Sequence, residues 1–374
     1  MLKNRKITIT ISIILLAFLF IFNTSLAQED LNLPAPRVKP DGDLTVAYCR
    51  ANLAWASGIR PYMQMHIEGA IRGWEMVYVT DMENPLEQRN AVDSLIAKDV
   101  DAIIIDNFQI LQFPDLAIKA REKGIGVYCL DTPLVPGVLA ETTMPNGIFS
   151  AEMAYYGLGQ LNGEGNVALI GWELSDWGVQ RTFPIQILLE KGFKPGINLI
   201  EYTTPDQEKY IEDAFRIGSA WAQKYGDELD WIHCPFDGIA MPVVRALEQA
   251  GLTREEVIVT GIDAGIEACQ MIMEGTPFKA TYGQFFEAYA HYICEVIDQV
   301  QVRGIPVDAP ESIVPAGRVI RFPGMLIDET NVPEEGDTAY KVHAYDGLDP
   351  DDPDAWVNWY KKVDMEAYSY EYPK

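Results

Sequence analysis

Short apolar runs rich in β-branched residues alternate with longer amphipathic stretches along most of this chain. In the first half, the apolar runs lie at 44–49, 75–80, 101–105 and 126–130, and helical patterns occupy 60–72, 86–98 and 111–123. Such alternation is typical of a parallel β-sheet with helices on both faces.

A second, similar series follows the first. Its apolar runs lie at 167–171, 198–202, 231–234, 257–261 and 279–282, with helical patterns that include 207–224 and 238–249. A stretch rich in Pro, Gly and Thr at 132–146 separates the two series. The 374 residues and 48% hydrophobic content are enough for two domains with real cores. The pattern therefore predicts a doubled α/β chain.

The N-terminus has the pattern of a secretory signal peptide. Lys3, Arg5 and Lys6 precede an apolar run at 7–22, and small residues lie on either side of Leu26. We predict that residues 1–27 are a signal peptide cleaved after Ala27, and that the mature protein is periplasmic. An uncleaved membrane anchor is the alternative, although a spanning helix needs about 20 apolar residues.

Charge and cysteine content narrow the classes of partner. The formal net charge of −26 argues against nucleic acid and anionic membrane surfaces as partners. The odd count of five cysteines cannot all pair, and no C-x-x-C spacing suggests zinc. We therefore expect buried single thiols, no metal and no cofactor.

The character of the chain changes after residue 303, and residues 336–374 are acidic and aromatic. We interpret this segment as an ordered strap on the surface, because rings such as those of Trp356 and Trp359 are costly to leave in water. Its aspartates suggest either a calcium site or, as we favour, a solvated acidic turn. These aspartates are Asp346, Asp349, Asp351, Asp352 and Asp354.

Polar and aromatic side chains recur just after the predicted strands. Open parallel sheets bind ligands beyond the carboxyl ends of their strands, so we expect these side chains to converge on a ligand. The candidate ligand-binding residues are Trp55, Tyr62, Asp106, Asp131, Trp172, Arg181, Phe236, Asp237, Asp263 and Gln284.

This combination suits a sugar or polyol. Hydroxyl groups pair well with carboxylates and guanidinium groups, and the C–H faces of a sugar ring lie flat on aromatic rings. Each aspartate could instead cap the following helix. No nucleotide-binding, hydrolase or metalloprotease motif occurs, so we predict no catalytic residues, although a secreted hydrolase with paired carboxylates remains an alternative.

Several segments resemble periplasmic sugar-binding proteins of the ribose-binding type. These are type I solute-binding proteins of ABC importers, which share their fold with the ligand domains of LacI-type repressors. The resemblance covers residues 43–332 and lies mainly in FDGIAMPVVRALEQAG (236–251), GIDAG (261–265) and TYGQ, which ends at Gln284. Phe236 replaces the family's asparagine, and the early N-P-F motif is absent. These departures favour a ligand larger or less polar than a pentose.

The resemblance implies an α/β fold with two doubly wound parallel-sheet lobes joined by a three-stranded hinge. The N-terminal lobe would comprise 43–138 and 284–305, and the C-terminal lobe 139–283 and 306–335, with hinge crossings near 138, 284 and 305. A monomer of this kind would capture its ligand by closing the hinge and deliver it to the permease of an ABC importer. The alternative is a sensor that presents the closed form to a chemoreceptor or kinase.

Overall fold

The computed structural model describes residues 32–53, 55–82, 84–107, 113–173, 175–191, 196–332 and 352–364. The predicted signal peptide and most of the predicted strap lie outside these residues. The strands are β1 Thr45–Arg50, β2 Glu75–Val79, β3 Ala102–Asp106, β4 Gly126–Leu130, β5 Ala140–Thr143, β6 Gly165–Ile170, β7 Ile197–Thr203, β8 Trp231–His233, β9 Ile258–Thr260, β10 Phe278–Gly283, β11 Val319–Arg321 and β12 Met325–Asp328. The α-helices are α1 Ala56–Arg72, α2 Pro85–Lys98, α3 Asp115–Glu122, α4 Asn146–Gln160, α5 Asp176–Glu190, α6 Tyr210–Tyr225, α7 Asp237–Gln249, α8 Ile266–Met273 and α9 Phe286–Ile297.

The strands form two sheets of six strands each, which confirms the predicted fold class. The first has the order β11-β5-β4-β3-β1-β2 and the second β12-β10-β9-β8-β6-β7. All pairings are parallel except that of β12 with β10. In each sheet the strand order reverses beside the first strand, between β1 and β3 and between β6 and β8. Ligands of open α/β sheets bind at such switch points.

Both faces of the first sheet are covered by helices. Val46 and Tyr48 face the cluster built with α1 and α9, whereas Ala47 and Cys49 face the cluster built with α2 and α3. The second sheet is covered in the same way, by α6 and α7 on one face and by α4 and α5 on the other. Because both faces are buried, the central strands are apolar along their whole length.

The chain crosses between the sheets at three places in the described part. The first lies after β5, the second between β10 and α9, and the third between β11 and β12. The predicted crossings near 138 and 305 are therefore too early. Residues 140–143 add a strand to the first sheet, and residues 319–321 return to pair with that strand before the chain leaves.

The described part of the predicted strap, residues 352–364, packs on the first lobe. A 3₁₀-helix, Trp356–Lys362, lies against α1, and the buried Trp356 ring stacks on His291 of α9 at a centroid distance of 4.4 Å. Of the acidic cluster, Asp352 and Asp354 are described, and Asp354 pairs with Lys362 at 2.9 Å. Asp346, Asp349 and Asp351 lie outside the described residues. All five cysteines are described, and each is buried and free.

The close backbone approach at Gly137, in the turn before β5, can be tested by substitution, with Gly42 as the control. Gly137 has φ +96°, and an added Cβ would lie 2.7 Å from the carbonyl carbon of Ala117; Gly42 has φ +78°, with nothing within 4 Å. Gly137→Ala combines backbone strain with a backbone clash, so we expect it to lower the free energy of unfolding by about 2–4 kcal/mol. Gly42→Ala carries only the strain, about 1 kcal/mol. Urea denaturation measures both, and equal losses would contradict the close approach at Gly137.

Candidate functional site

A cleft of about 940 Å³ lies where the carboxyl ends of the two sheets face each other. The first lobe contributes Arg50 at the end of β1 and Asp131 after β4. The second lobe contributes Trp172 after β6, Arg181 on α5 and Asp263 after β9. The doubly wound topology explains this convergence, because the loops at each switch point separate and leave a crevice.

Arg50 and Asp106 form a buried ion pair at the base of the first lobe. They are the last residues of adjacent parallel strands and lie in register, so Nη1 of Arg50 donates to Oδ1 of Asp106 at 2.5 Å. The Tyr48 hydroxyl also donates to this carboxylate. Burial raises the pKa of Asp106 to about 6, and the charge of Arg50 only partly opposes this. The pair holds the Arg50 guanidinium at the cleft, where it also donates to the Ser57 hydroxyl at 3.3 Å.

Arg181, on α5, supplies the guanidinium group of the second lobe. Only 3% exposed, it donates to Oδ1 of Asn146 at 2.8 Å, to the carbonyl oxygen of Pro235 at 3.1 Å and to Oδ1 of Asp263 at 3.3 Å. Gln284 donates to the same Asp263 oxygen at 2.5 Å. Burial raises the pKa of Asp263, although Arg181 opposes the shift. The cleft therefore has one anchored guanidinium on each side.

Asp237 lies behind the cleft surface. Its side chain accepts hydrogen bonds from the Thr281 hydroxyl at 2.7 Å and from the backbone N–H of Gly265 at 3.0 Å. Burial, with the nearby charge of Asp263, raises the pKa of Asp237 well above its usual range. Its contacts join the start of α7 to β10 and to the start of α8, so Asp237 supports the loops that carry the cleft residues.

Five aromatic rings form a continuous wall on one side of the cleft, here called the aromatic wall. Neighbouring ring centroids lie 5.4–6.5 Å apart, and most pairs meet edge to face or at a tilt. The Arg181 guanidinium lies 4.6 Å from the Trp177 ring centroid. The members of the wall are Trp55, Trp172, Trp177, Tyr210 and Phe236.

Two indole N–H groups of the aromatic wall join the lobes across the cleft. Trp55 belongs to the first lobe, and its Nε1 donates to the hydroxyl of Tyr210 on α6 of the second lobe. Trp177 belongs to the second lobe, and its Nε1 donates to Oδ1 of Asn107, just after β3, at 2.9 Å. The lobes therefore touch at the rim of the cleft, while the space between them stays open.

The structure brings six of the ten predicted residues to the cleft surface. They are Trp55, Asp131, Trp172, Arg181, Phe236 and Asp263. Asp106, Asp237 and Gln284 lie directly behind and hold the surface residues or their loops. Tyr62 is elsewhere: it packs against Tyr48, His66 and Tyr78 in the core of the first lobe.

Sequence reasoning missed Arg50 and Tyr210 as cleft-lining residues. Arg50 was missed because β1 continues one residue beyond the apolar run, so the arginine ends the strand instead of following it. The sequence nevertheless contained a sign of its position, because a charged residue directly after an apolar run often marks the end of a buried strand. Tyr210 begins a helix, and only the folded structure brings its hydroxyl to Trp55.

Carboxylates outnumber cations around the cleft. Asp131 accepts a hydrogen bond from the Thr143 hydroxyl at 2.8 Å, and further carboxylates at the cleft belong to Asp81, Asp176 and Glu208. Across residues 32–332 and 352–364, apart from the short gaps, no cluster of three or more His, Cys, Asp and Glu side chains is arranged for a metal ion. Within the same residues, no helix has the length and apolarity to cross a membrane.

Comparison with known proteins assigns the chain to a class. The family model of the periplasmic binding protein domain matches residues 67–304. Since this is more than half of the sequence, the chain belongs to that family, which confirms the resemblance seen in the sequence. Among curated proteins, the xylitol-binding protein of Mycolicibacterium smegmatis is 25% identical over 197 residues. That match spans 52% of this chain and only 55% of the relative.

Solved structures share the fold at low sequence identity. An ABC transporter solute-binding protein from Agrobacterium vitis with bound allitol has a TM-score of 0.69 and 19% identity, over 78% of this chain and 97% of that one. One from Bacillus halodurans with bound myo-inositol has a TM-score of 0.66 and 21% identity, over 78% and 96%. An ABC sugar transporter subunit from Rhodobacter sphaeroides has a TM-score of 0.68 and 21% identity, over 77% and 99%.

The raised pKa of Asp106 can be tested by measuring how the free energy of unfolding changes with pH. Because its pKa is raised to about 6 in the folded state, its contribution to stability is fully present below about pH 4 and is lost as the pH rises through 6. Relative to the Asp106→Asn variant, the natural chain should lose about 2–3 kcal/mol of unfolding free energy between pH 4 and 7. Chemical denaturation at stepped pH measures this difference.

The matched control is Asp227→Asn, which changes an exposed aspartate in the same way. Subtracting the control removes the effect of an aspartate-to-asparagine change at the surface. If no difference between the two variants remains over this pH interval, Asp106 is not the buried, destabilised carboxylate described above.

Proposed function

We propose that this protein captures a carbohydrate or polyol between its two lobes and releases it unchanged to an ABC importer. The observation that carries the proposal is the pair of anchored guanidinium groups, Arg50 and Arg181, which face one cleft from opposite lobes. Asp131 and Asp263 lie with them, and the aromatic wall covers one side. The same cleft thus offers planar donors, charged acceptors and ring faces.

These groups match the surface of a sugar or polyol. Each hydroxyl group is both a donor and an acceptor, so a guanidinium and a carboxylate side by side satisfy two neighbouring hydroxyls. The C–H face of a sugar ring is apolar and packs on Trp172 or Phe236. A peptide ligand, by contrast, would need partners for an unpaired backbone.

Binding would shift the protein toward a closed conformation. A ligand that contacts Asp131 of the first lobe and Asp263 of the second gains all its contacts only when the lobes are together, so its binding energy favours that state. The contacts from Trp55 to Tyr210 and from Trp177 to Asn107 would form only in the closed arrangement. The permease would then recognise the closed shape.

The comparisons support the solute-binding role and the class of ligand in this proposal. Matched solved structures include solute-binding proteins with bound allitol and myo-inositol, and the curated relative is described as xylitol-binding. Membership of the periplasmic binding protein family, together with the predicted signal peptide, supports a periplasmic location. Solute-binding proteins carry ligands without reacting with them, which agrees with our prediction of no catalytic residues.

A ligand screen tests the proposal. In a thermal-shift panel of sugars, polyols, nucleosides, amino acids and peptides, we expect sugars or polyols to raise the melting temperature. Hits confined to amino acids or peptides would contradict the carbohydrate assignment. Mass spectrometry after incubation should recover each ligand intact, whereas a hydrolysed product would favour a hydrolase.

Arg181→Ala tests the role of the cleft in the same binding. The variant removes charge-assisted hydrogen bonds, so the dissociation constant measured by calorimetry should rise about 10–100-fold. The control is Arg216→Ala, since Arg216 is an exposed arginine on α6 whose ion-pair partner in the described part of the chain is its helix neighbour Asp213. We expect the control to bind like the natural chain, and circular dichroism should show both variants folded. Unchanged affinity in Arg181→Ala would place the ligand elsewhere.

A further inference from the structure

A side cavity of about 240 Å³ opens beside the main cleft. It lies between β5 and the edge strand β11 of the first lobe and the first turns of α4 and α5 of the second. Asp131, Pro133, Asp176 and Trp177 line both the main cleft and the side cavity. The side cavity therefore adjoins the main cleft along these four residues.

Glu141 of β5 is a buried carboxyl group that lines the side cavity. The residue is only 8% exposed, and its carboxyl group makes no hydrogen bond or ion pair with any residue that the structure describes. Burial, reinforced by the charge of Asp131, raises the pKa of Glu141 to about 8, and the nearby Arg321 opposes the shift. Because Glu141 lines the side cavity, its carboxyl group is available to form a hydrogen bond with a molecule that enters it.

Two neighbouring polar side chains have hydrogen-bond partners other than Glu141. The Thr143 hydroxyl donates to Asp131 at 2.8 Å, and the Gln180 amide donates to Asp176. A carboxyl group that is largely protonated near neutral pH both donates and accepts, as a sugar hydroxyl does. The Trp177 ring also lines the side cavity and adds apolar surface for the C–H groups of a sugar.

The combined space exceeds the needs of one sugar ring. The volume of the main cleft alone lies near the upper end of the range of about 300–1,000 Å³ found for binding sites of drug-sized ligands. Such ligands are much larger than a monosaccharide. This space persists although the lobes already touch through Trp55 and Trp177. Closure of the lobes therefore does not reduce the cleft to the size of one ring.

We propose that the side cavity is a second subsite, in which Glu141 and Trp177 bind the second ring of a disaccharide or a glycoside of similar length. This inference rests on the proposed function, because it assigns the class of carbohydrate that the same cleft takes. The first ring lies between Arg50 and Arg181, and the second contacts Glu141.

Calorimetric titration of the full mature chain tests this assignment. The probes are maltose, cellobiose, lactose, sucrose, trehalose and melibiose, together with their constituent monosaccharides and a set of polyols. We expect at least one disaccharide to bind at least tenfold more tightly than either constituent. In Glu141→Ala, its dissociation constant should rise about tenfold while that of the monosaccharides changes less than twofold.

Two further variants keep the test interpretable. Gln180→Trp places a large ring at the side cavity. It should weaken binding of the disaccharide and leave binding of the monosaccharides unchanged. Glu122→Ala removes an exposed carboxylate at the end of α3, far from the strand ends, and should change neither. Without ligand, Glu141→Ala should melt at or above the temperature of the natural chain, because it removes a buried group without a partner.

The failures of the two proposals are distinguishable. If monosaccharides or polyols bind as tightly as every disaccharide, or if Glu141→Ala weakens both classes equally, the second subsite is overturned and the proposed function stands. If no carbohydrate binds at all, both proposals fail.

Discussion

The organisation of this protein depends on two buried arginine–aspartate pairs, one at the carboxyl end of each sheet. Arg50 pairs with Asp106 beside the switch point of the first sheet, and Arg181 pairs with Asp263 in the second lobe. A buried charge is costly unless it is paired and hydrogen-bonded, so each aspartate makes it possible to hold a guanidinium at the base of the cleft. Removing either aspartate would leave a buried cation without its partner.

The rest of the fold serves to bring these two pairs face to face. Parallel strands all end at the same edge, and helices on both faces keep the strands in place through apolar clusters. The crossings between the lobes keep the two edges opposed. Within the cleft, the aromatic wall adds ring faces, and its indole N–H groups reach across to the opposite lobe at Tyr210 and Asn107.

The sequence was sufficient to predict the alternating architecture and much of the cleft, because apolar runs mark the strands and a polar residue after each run marks the ligand edge. Asp131 and Asp263 were found in this way. Tyr62 was misplaced, since sequence gives its distance from the strand but not the face of α1 on which it lies. The short strand 319–321 carries no periodic signal, and its place beside β5 is decided by tertiary pairing. Glu141 lay in a stretch that the sequence indicated to be a linker.

A crystal structure of the protein with its tightest-binding carbohydrate would show whether the two arginine–aspartate pairs face a bound ligand. We expect one ligand between the lobes, with hydroxyl groups within hydrogen-bond distance of Arg50 or Asp131 on one side and of Arg181 or Asp263 on the other. A ligand bound to one lobe alone, or outside this cleft, would contradict it.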